Sequence, residues 1–125
     1  MGLSLCKGDS DDPPPNDAPV IQDISSAEEF RAALSAAQGK IVVVDFYATW
    51  CGPCRTAAPI FQEIANNFAK TCIALKVDVD ELEALAAEHG VTAMPTFHAY
   101  KDGVKVGELV GAPTHERLTK LFMST

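Results

Sequence analysis

The sequence lacks several features that would place it in other protein classes. It has no apolar run approaching the roughly 20 residues of a membrane-spanning helix. Its 125 residues carry 10 Lys and Arg against 17 Asp and Glu, so the net charge is −7, and no basic cluster suggests nucleic-acid binding. The N-terminus has no apolar stretch, so we expect no secretory signal. These absences favour one globular domain, long enough to bury a core without disulfide cross-links.

Cysteine is also scarce, which bears on the kind of site the chain could hold. The cysteines are Cys6, Cys51, Cys54 and Cys72. Without a signal sequence, four cysteines do not suggest a disulfide framework. A zinc site needs four ligands, and neither a second C-x-x-C nor an H-x₃-H accompanies the pair at 51 and 54. The histidines are scattered along the sequence, at His89, His98 and His115. We therefore expect no metal, and redox chemistry at the cysteine pair.

The chain is organised around a five-residue segment, Trp50-Cys51-Gly52-Pro53-Cys54. Residues 41–47 before it are apolar and mostly β-branched, which predicts a buried strand. Residues 55–68 after it carry apolar side chains at helical spacing. The cysteines therefore lie where a strand passes into a helix, and the free N–H groups and positive dipole end of a helix N-terminus stabilise a thiolate. This arrangement predicts a thiol pair that cycles between dithiol and disulfide.

This motif and its surroundings resemble the thioredoxin family, in particular plant and algal h-type members, over residues 20–123. Further matches are Asp45, Lys76 within Leu75-Lys76-Val77-Asp78, Met94-Pro95-Thr96-Phe97 and Val110-Gly111-Ala112. The resemblance implies a protein-disulfide reductase that takes part in electron transport and cell redox homeostasis. It also implies that no cofactor is bound, and that electrons come from NADPH through a thioredoxin reductase.

The pattern of elements predicts an α/β fold of order βαβαβαββα. Strands are expected at 20–24, 41–47, 72–79, 96–100 and 104–109. Helices are expected after Ser26, after Cys51, at 81–89 and after Thr114. This order predicts the thioredoxin fold, a central five-stranded mixed sheet flanked by four helices, with strands 1 to 3 parallel and strands 4 and 5 forming a hairpin. Residues 1–19 are expected to form a flexible acidic arm ahead of a domain spanning 20–125.

The two active-site cysteines are expected to have different roles. Cys51 precedes the helix, so we expect it to be the more exposed thiol and the nucleophile that attacks a substrate disulfide. Cys54 would then attack Cys51 and release the reduced substrate. Pro53 offers no N–H donor, and in the family a Gly-Pro pair, here Gly52-Pro53, accompanies reductants.

Asp45 is a carboxylate within an apolar strand. A buried, unpaired carboxylate has a raised pKa and can accept a proton, here from Cys54. The alternative is that Asp45 faces solvent at a strand edge. The resemblance gives the matching aspartate this proton-transfer role and places Lys76 beside it, although Lys76 could also be an ordinary solvated lysine.

Further residues are expected to bind the substrate. The resemblance implies a cis Met94-Pro95 bond facing the disulfide, with Met94 offering its N–H and C=O to a substrate backbone. An ordinary turn proline is the alternative. Trp50 is expected to cover one side of the site, and Gly111 to leave room for a substrate chain on the other. Tyr47 stands where many family members have tryptophan or a small residue.

The arm carries two candidate lipidation sites. Gly2 follows Met1, and Cys6 stands where the myristoylation pattern has Ser or Thr. Acylation of both would supply the two signals that stable anchoring needs and would lead to peripheral membrane association. The alternative is an unmodified tail. We expect a cytoplasmic monomer in either case, and we expect Cys72 to be a small apolar residue at a strand start.

Two other functions stay open from the sequence. One is a glutathione- and glutaredoxin-linked thiol relay that uses Cys6 as an additional thiol. The other is a non-enzymatic adaptor with the thioredoxin fold, in which the thiols are incidental.

Overall fold

The computed structural model describes residues 20–124, which form one five-stranded mixed sheet with helices on both faces. The strands are β1 (Ile21–Ile24), β2 (Ile41–Tyr47), β3 (Cys72–Asp78), β4 (Thr96–Lys101) and β5 (Val104–Val110). The helices are α1 (Ala27–Ala36), α2 (Gly52–Asn67), α3 (Glu83–Glu88) and α4 (His115–Phe122). The lipidation hypothesis for Gly2 and Cys6 lies outside the described residues.

The strand order is β1-β3-β2-β4-β5, with β1, β3 and β2 parallel and β4 antiparallel to both β2 and β5. The predicted fold and topology are confirmed. In the described part of the chain, no helix is both long and apolar enough to cross a membrane.

The first helix begins with side-chain capping interactions. The Ser26 hydroxyl accepts a hydrogen bond from the Glu29 N–H at 3.0 Å, and the Glu29 carboxylate accepts one from the Ser25 N–H at 2.6 Å. The carboxylate thus reaches one residue further back than in the standard capping box. The helix ends ahead of Gln38 and Gly39, whose φ values of 51° and 87° turn the chain into β2.

The predicted start of α3 at residue 81 is wrong by two residues. Asp78 holds a turn there: its carboxylate accepts from the Asp80 N–H at 2.9 Å, and its carbonyl accepts from the N–H groups of Glu81 and Leu82 at 3.1 and 3.0 Å. These bonds close a turn around Asp78, so the helix begins only at Glu83.

The sheet separates two apolar cores, and β2 contributes to both because its side chains alternate between faces. Val42, Val44 and Phe46 pack on the face covered by α1 and α3. Val43 packs on the face covered by α2 and α4. Asp45 has the same parity as Val43, so its carboxylate lies under α2, the helix that carries the cysteines.

Candidate active site

The cysteine pair lies at the N-terminus of α2. Cys51 is the N-cap residue and Cys54 lies in the first turn. The two form a disulfide with their Cα atoms 5.2 Å apart. Cys51 Sγ accepts a hydrogen bond from the Cys54 backbone N–H at 3.1 Å. A sulfur at this position is stabilised as an anion by the donor and by the helix dipole.

The expectation that Cys51 is the more exposed cysteine is wrong when the exposed fractions of the two residues are compared. Cys51 and Cys54 are each 5% exposed. The segment that contains Met94 packs against Cys51, whose Sγ lies 3.7 Å from the Met94 carbonyl oxygen. The two residues differ instead in what they face, because Cys54 lines a cavity that it shares with Asp45.

The Met94-Pro95 bond is cis, as predicted. The Pro95 carbonyl accepts a hydrogen bond from the Gly111 N–H at 2.8 Å, and the Thr96 hydroxyl donates to the Ala93 carbonyl at 2.6 Å. These bonds fix the segment on both sides of Pro95. Gly111 has a φ of 93°, which favours glycine, and a Cβ there would meet nothing within 4 Å. The space beside Gly111 is therefore open.

Trp50 lies on the surface beside the cysteines and is 64% exposed. Its indole Nε1 donates a hydrogen bond to Asp80 Oδ2 at 2.8 Å. Sequence reasoning missed Asp80 as a partner, because the two residues are 30 positions apart and no local pattern connects them. The bond holds an exposed aromatic ring in place on the same surface as the disulfide.

Asp45 is buried, and the alternative that it faces solvent is wrong. It is 3% exposed, and its Oδ1 has no hydrogen-bond partner among residues 20–124. Burial raises the pKa of this carboxyl to about 7, although the positive charge of Lys76 opposes the rise. The cause is topological: β2 lies between β3 and β4 at the centre of the sheet, so Asp45 cannot be at an edge.

A cavity of about 230 Å³ brings the predicted proton-transfer residues together. It is lined by Asp45, Tyr47, Ala48, Thr49, Cys54, Arg55, Ala58 and Lys76. Asp45 and Lys76 are direct neighbours across β2 and β3. The Lys76 ammonium lies 4.7 Å from the centre of the Tyr47 ring. Lys76 therefore lines this cavity together with Asp45, and its ammonium lies against an aromatic ring.

Two of the histidines that are scattered in the sequence are joined in the structure. The Tyr100 hydroxyl lies 2.9 Å from His98 Nδ1 and 3.0 Å from His89 Nδ1. His98 is 1% exposed, and burial lowers its pKa to about 4. The period-two spacing of His98 and Tyr100 on one strand would have shown that they share a face. Tyr100 belongs to the same apolar core cluster as Phe46 and the two cysteines.

Cys72 and the histidines do not form a metal site. Within residues 20–124 no group of three or more His, Cys, Asp or Glu side chains is placed to hold a metal ion. Cys72 is half-buried at the start of β3, its Sγ lies 3.3 Å from the Phe122 carbonyl oxygen, and burial raises its pKa. It lies against the C-terminal end of α4, in agreement with a packing role.

Comparison with known proteins identifies this architecture. The family model for thioredoxin matches residues 21–124. The chain belongs to the thioredoxin family. It is 50% identical to an h-type thioredoxin of Chlamydomonas reinhardtii over 93 residues, which cover 74% of this chain and 82% of the relative. Human thioredoxin is 46% identical, with 74% and 88% covered.

Solved thioredoxin structures agree with the family assignment. The thioredoxin of Nicotiana alata superposes with a TM-score of 0.77 and 34% identity, over 93% of this chain and 96% of that one. The thioredoxin of Schistosoma mansoni gives 0.76 and 41%, over 82% and 93%. With its cysteine pair joined at the helix N-terminus, this thioredoxin-family protein is an oxidoreductase of protein disulfides.

Proposed function

We propose that the protein reduces disulfides in other proteins with Cys51 as the attacking and Cys54 as the resolving thiol. The observation that carries this assignment is the hydrogen bond from the Cys54 N–H to Cys51 Sγ at 3.1 Å. That donor and the dipole of α2 stabilise negative charge on Cys51. Cys51 is therefore the thiol that is available as a thiolate when a substrate disulfide arrives.

The reaction proceeds in two exchanges. The Cys51 thiolate attacks one sulfur of the substrate disulfide, so one S–S bond breaks and a mixed disulfide forms, while the other substrate sulfur leaves as a thiolate. Cys54 then loses its proton and attacks Cys51 Sγ, which releases the second substrate sulfur. The substrate gains two electrons, and Cys51 and Cys54 are left as the disulfide.

Asp45 is the proposed acceptor of the Cys54 proton. Both residues line the same cavity, and a carboxyl with a pKa of about 7 is partly ionised at neutral pH. A group with a pKa near the working pH combines availability as a base with the ability to give the proton back. Lys76 lies next to Asp45 across β2 and β3, and its positive charge lowers the free-energy cost of ionising Asp45.

Substrate is proposed to lie along the surface that surrounds Cys51. The Met94 backbone lies against the sulfur, and Pro95 fixes that segment. Trp50, Gly52 and Pro53 form the exposed side next to the disulfide, and the open space at Gly111 admits an extended chain. A short β-type pairing with the Met94 backbone would bind the substrate through main-chain hydrogen bonds, so binding would not depend on the substrate's side chains.

The electrons are proposed to come from NADPH through a thioredoxin reductase, with no cofactor bound to this chain. The proposed location is the cytoplasm and the proposed state is a monomer that does not bind nucleic acid. The net charge of −7 supports the last point. Acylation of Gly2 and Cys6 would add a peripheral membrane association, and it remains part of the proposal.

An insulin-reduction assay with NADPH and thioredoxin reductase tests this function. We expect NADPH-dependent reduction by the wild type and none by Cys51→Ser. Replacing the reductase by glutathione and glutaredoxin should give much less reduction. Reduction with glutathione and glutaredoxin only would contradict the proposal and favour the thiol relay. No reduction under either condition would favour the adaptor.

A further inference from the structure

Tyr47 and Lys76 line two cavities. The first is the active-site cavity that holds Asp45 and Cys54. The second, of about 310 Å³, is lined by Ile24, Ser25 and the three carboxylates of Asp23, Asp78 and Glu81, together with Tyr47 and Lys76. Lys76 can therefore place its charge towards one buried carboxyl or towards three others.

The contact of the Lys76 ammonium is with a ring rather than with an acid. Nζ lies 4.7 Å from the centre of the Tyr47 ring. Among the residues from 20 to 124, no carboxylate oxygen lies within 4.0 Å of it. Tyr47 is opposite Asp78 in the register, so Tyr47 and Lys76 are diagonal neighbours, a geometry within reach of long and aromatic side chains. The face of the ring attracts the cation.

Without the ring, the charges around Lys76 would favour a position of its ammonium in the second cavity, here called the outer cavity, with the carboxylates of Asp23, Asp78 and Glu81. Asp23 is opposite Lys76 across β1 and β3, and both Asp23 and Glu81 are exposed. An ammonium near them stays hydrated, whereas near Asp45 it is shielded from water and loses hydration free energy. The lysine stem is flexible enough to move between the two.

We propose that Tyr47 is a positioning residue whose ring keeps the Lys76 ammonium at the active-site cavity, beside Asp45, against the attraction of the three outer carboxylates. Its relevance to catalysis rests on the proposed role of Asp45. The positioning itself does not, since it concerns only where a charge lies in the folded molecule.

Ionisable residues face Asp45 from the sheet and from α2. From the sheet, Asp45 is faced by Lys76 and, one strand further, by Asp23. From α2 it is faced by Cys54 and Arg55, and the Arg55 guanidinium donates a hydrogen bond to the Thr49 carbonyl at 3.0 Å.

The histidine pair His89 and His98 packs on the other face of the sheet, among the aromatic rings of Phe30 and Phe46. A change at Tyr47 is therefore expected to reach Asp45 through Lys76.

The test is a titration of the Asp45 carboxyl by ¹³C NMR in the oxidised protein. Tyr47→Leu removes the aromatic face and keeps apolar bulk, so the pKa of Asp45 should rise by about half a unit, the size that moving a nearby unit charge by roughly 2 Å produces. Tyr47→Phe keeps the ring and should titrate like the wild type. Tyr47→Met is a second apolar, non-aromatic variant, to be used if Tyr47→Leu does not fold.

A double-mutant comparison shows whether the effect passes through Lys76. In a Lys76→Met background, adding Tyr47→Leu should leave the Asp45 titration unchanged. An equal rise in both backgrounds would overturn the proposal, because the ring would then act through burial alone. An unchanged or lowered pKa in Tyr47→Leu would overturn it as well. The titration needs no turnover, so a failed insulin assay would refute the proposed function without affecting this result.

Discussion

Asp45 is the residue at which the chemistry and the stability of this protein conflict. Its carboxyl is buried in the central strand with one oxygen unpaired among the described residues. Ionisation of such a group is costly, which raises the pKa to about 7. The same shift places the group where a proton acceptor for Cys54 is effective. Removing the charge should therefore slow turnover and stabilise the fold.

The kinetic half of this conflict is tested by Asp45→Asn. The amide cannot accept the Cys54 proton, so resolution of the mixed disulfide should slow by about 100-fold or more. In the wild type the resolving rate should rise with pH through about 7, as the carboxyl ionises. Rapid-quench measurement of substrate release between pH 6 and 8 checks both. An unchanged rate across that range would remove Asp45 from the mechanism.

The effect of Asp45 on stability follows from the difference between its pKa in the folded and in the unfolded protein. The folded pKa of Asp45 lies above its ordinary value of 3.8, so the stability associated with the protonated group is complete below pH 3.8 and is lost as the pH rises through 7. Above pH 7 the buried carboxylate should cost on the order of 4 kcal/mol of unfolding free energy.

Urea unfolding of oxidised Asp45→Asn should show a clear gain over the wild type at pH 8 and little difference at pH 4. An equal gain at both pH values would mean that the charge is not its cause.

At the level of elements, the strands were predictable because their signals are local. The apolar run 41–47 is β2 residue for residue, and its length and composition already place Asp45 inside. The start of α3 was not predictable, because the turn before it depends on hydrogen bonds to the Asp78 side chain and carbonyl. The shielding of Cys51 was not either, since Met94 reaches it from 43 residues away.

The fourth strand carries a pH dependence of opposite sign. His98 in β4 is buried against Tyr100, and its pKa is lowered to about 4 from 6.5. The stability that comes from keeping it neutral is complete above pH 6.5 and is lost as the pH falls through 4. His98→Gln should therefore flatten the loss of stability between pH 6.5 and pH 4. The measurement is the urea midpoint as a function of pH.

His115→Gln is the matched control for that measurement, because the His115 side chain is 53% exposed. It should keep the wild-type pH dependence. If His98→Gln kept the wild-type slope as well, the buried histidine would not be the source of acid sensitivity. Because Asp45 and His98 act in opposite directions between pH 4 and pH 7, the wild-type curve alone cannot separate them.

At the scale of the whole molecule, the proposed active-site residues all lie within 20–124, while residues 1–19 contain none of them. Deleting 1–19 should leave insulin reduction unchanged. Gly2→Ala should change only the distribution between membrane and soluble fractions. A loss of reductase activity on deletion would contradict the proposed division into an arm and a domain, and identical distributions for Gly2→Ala and wild type would leave an unmodified tail.

Trapping of mixed disulfides tests most directly which of the two thiols attacks and which resolves. Cys54→Ser keeps the attacking thiol and removes the resolving one, so it should accumulate covalent adducts with proteins of a cell extract on non-reducing gels, released by dithiothreitol. Cys51→Ser keeps only the thiol that faces the Asp45 cavity, and it should form few adducts or none. Adducts on Cys51→Ser with none on Cys54→Ser would reverse the roles, and equally low levels on both would contradict thiol exchange as the function.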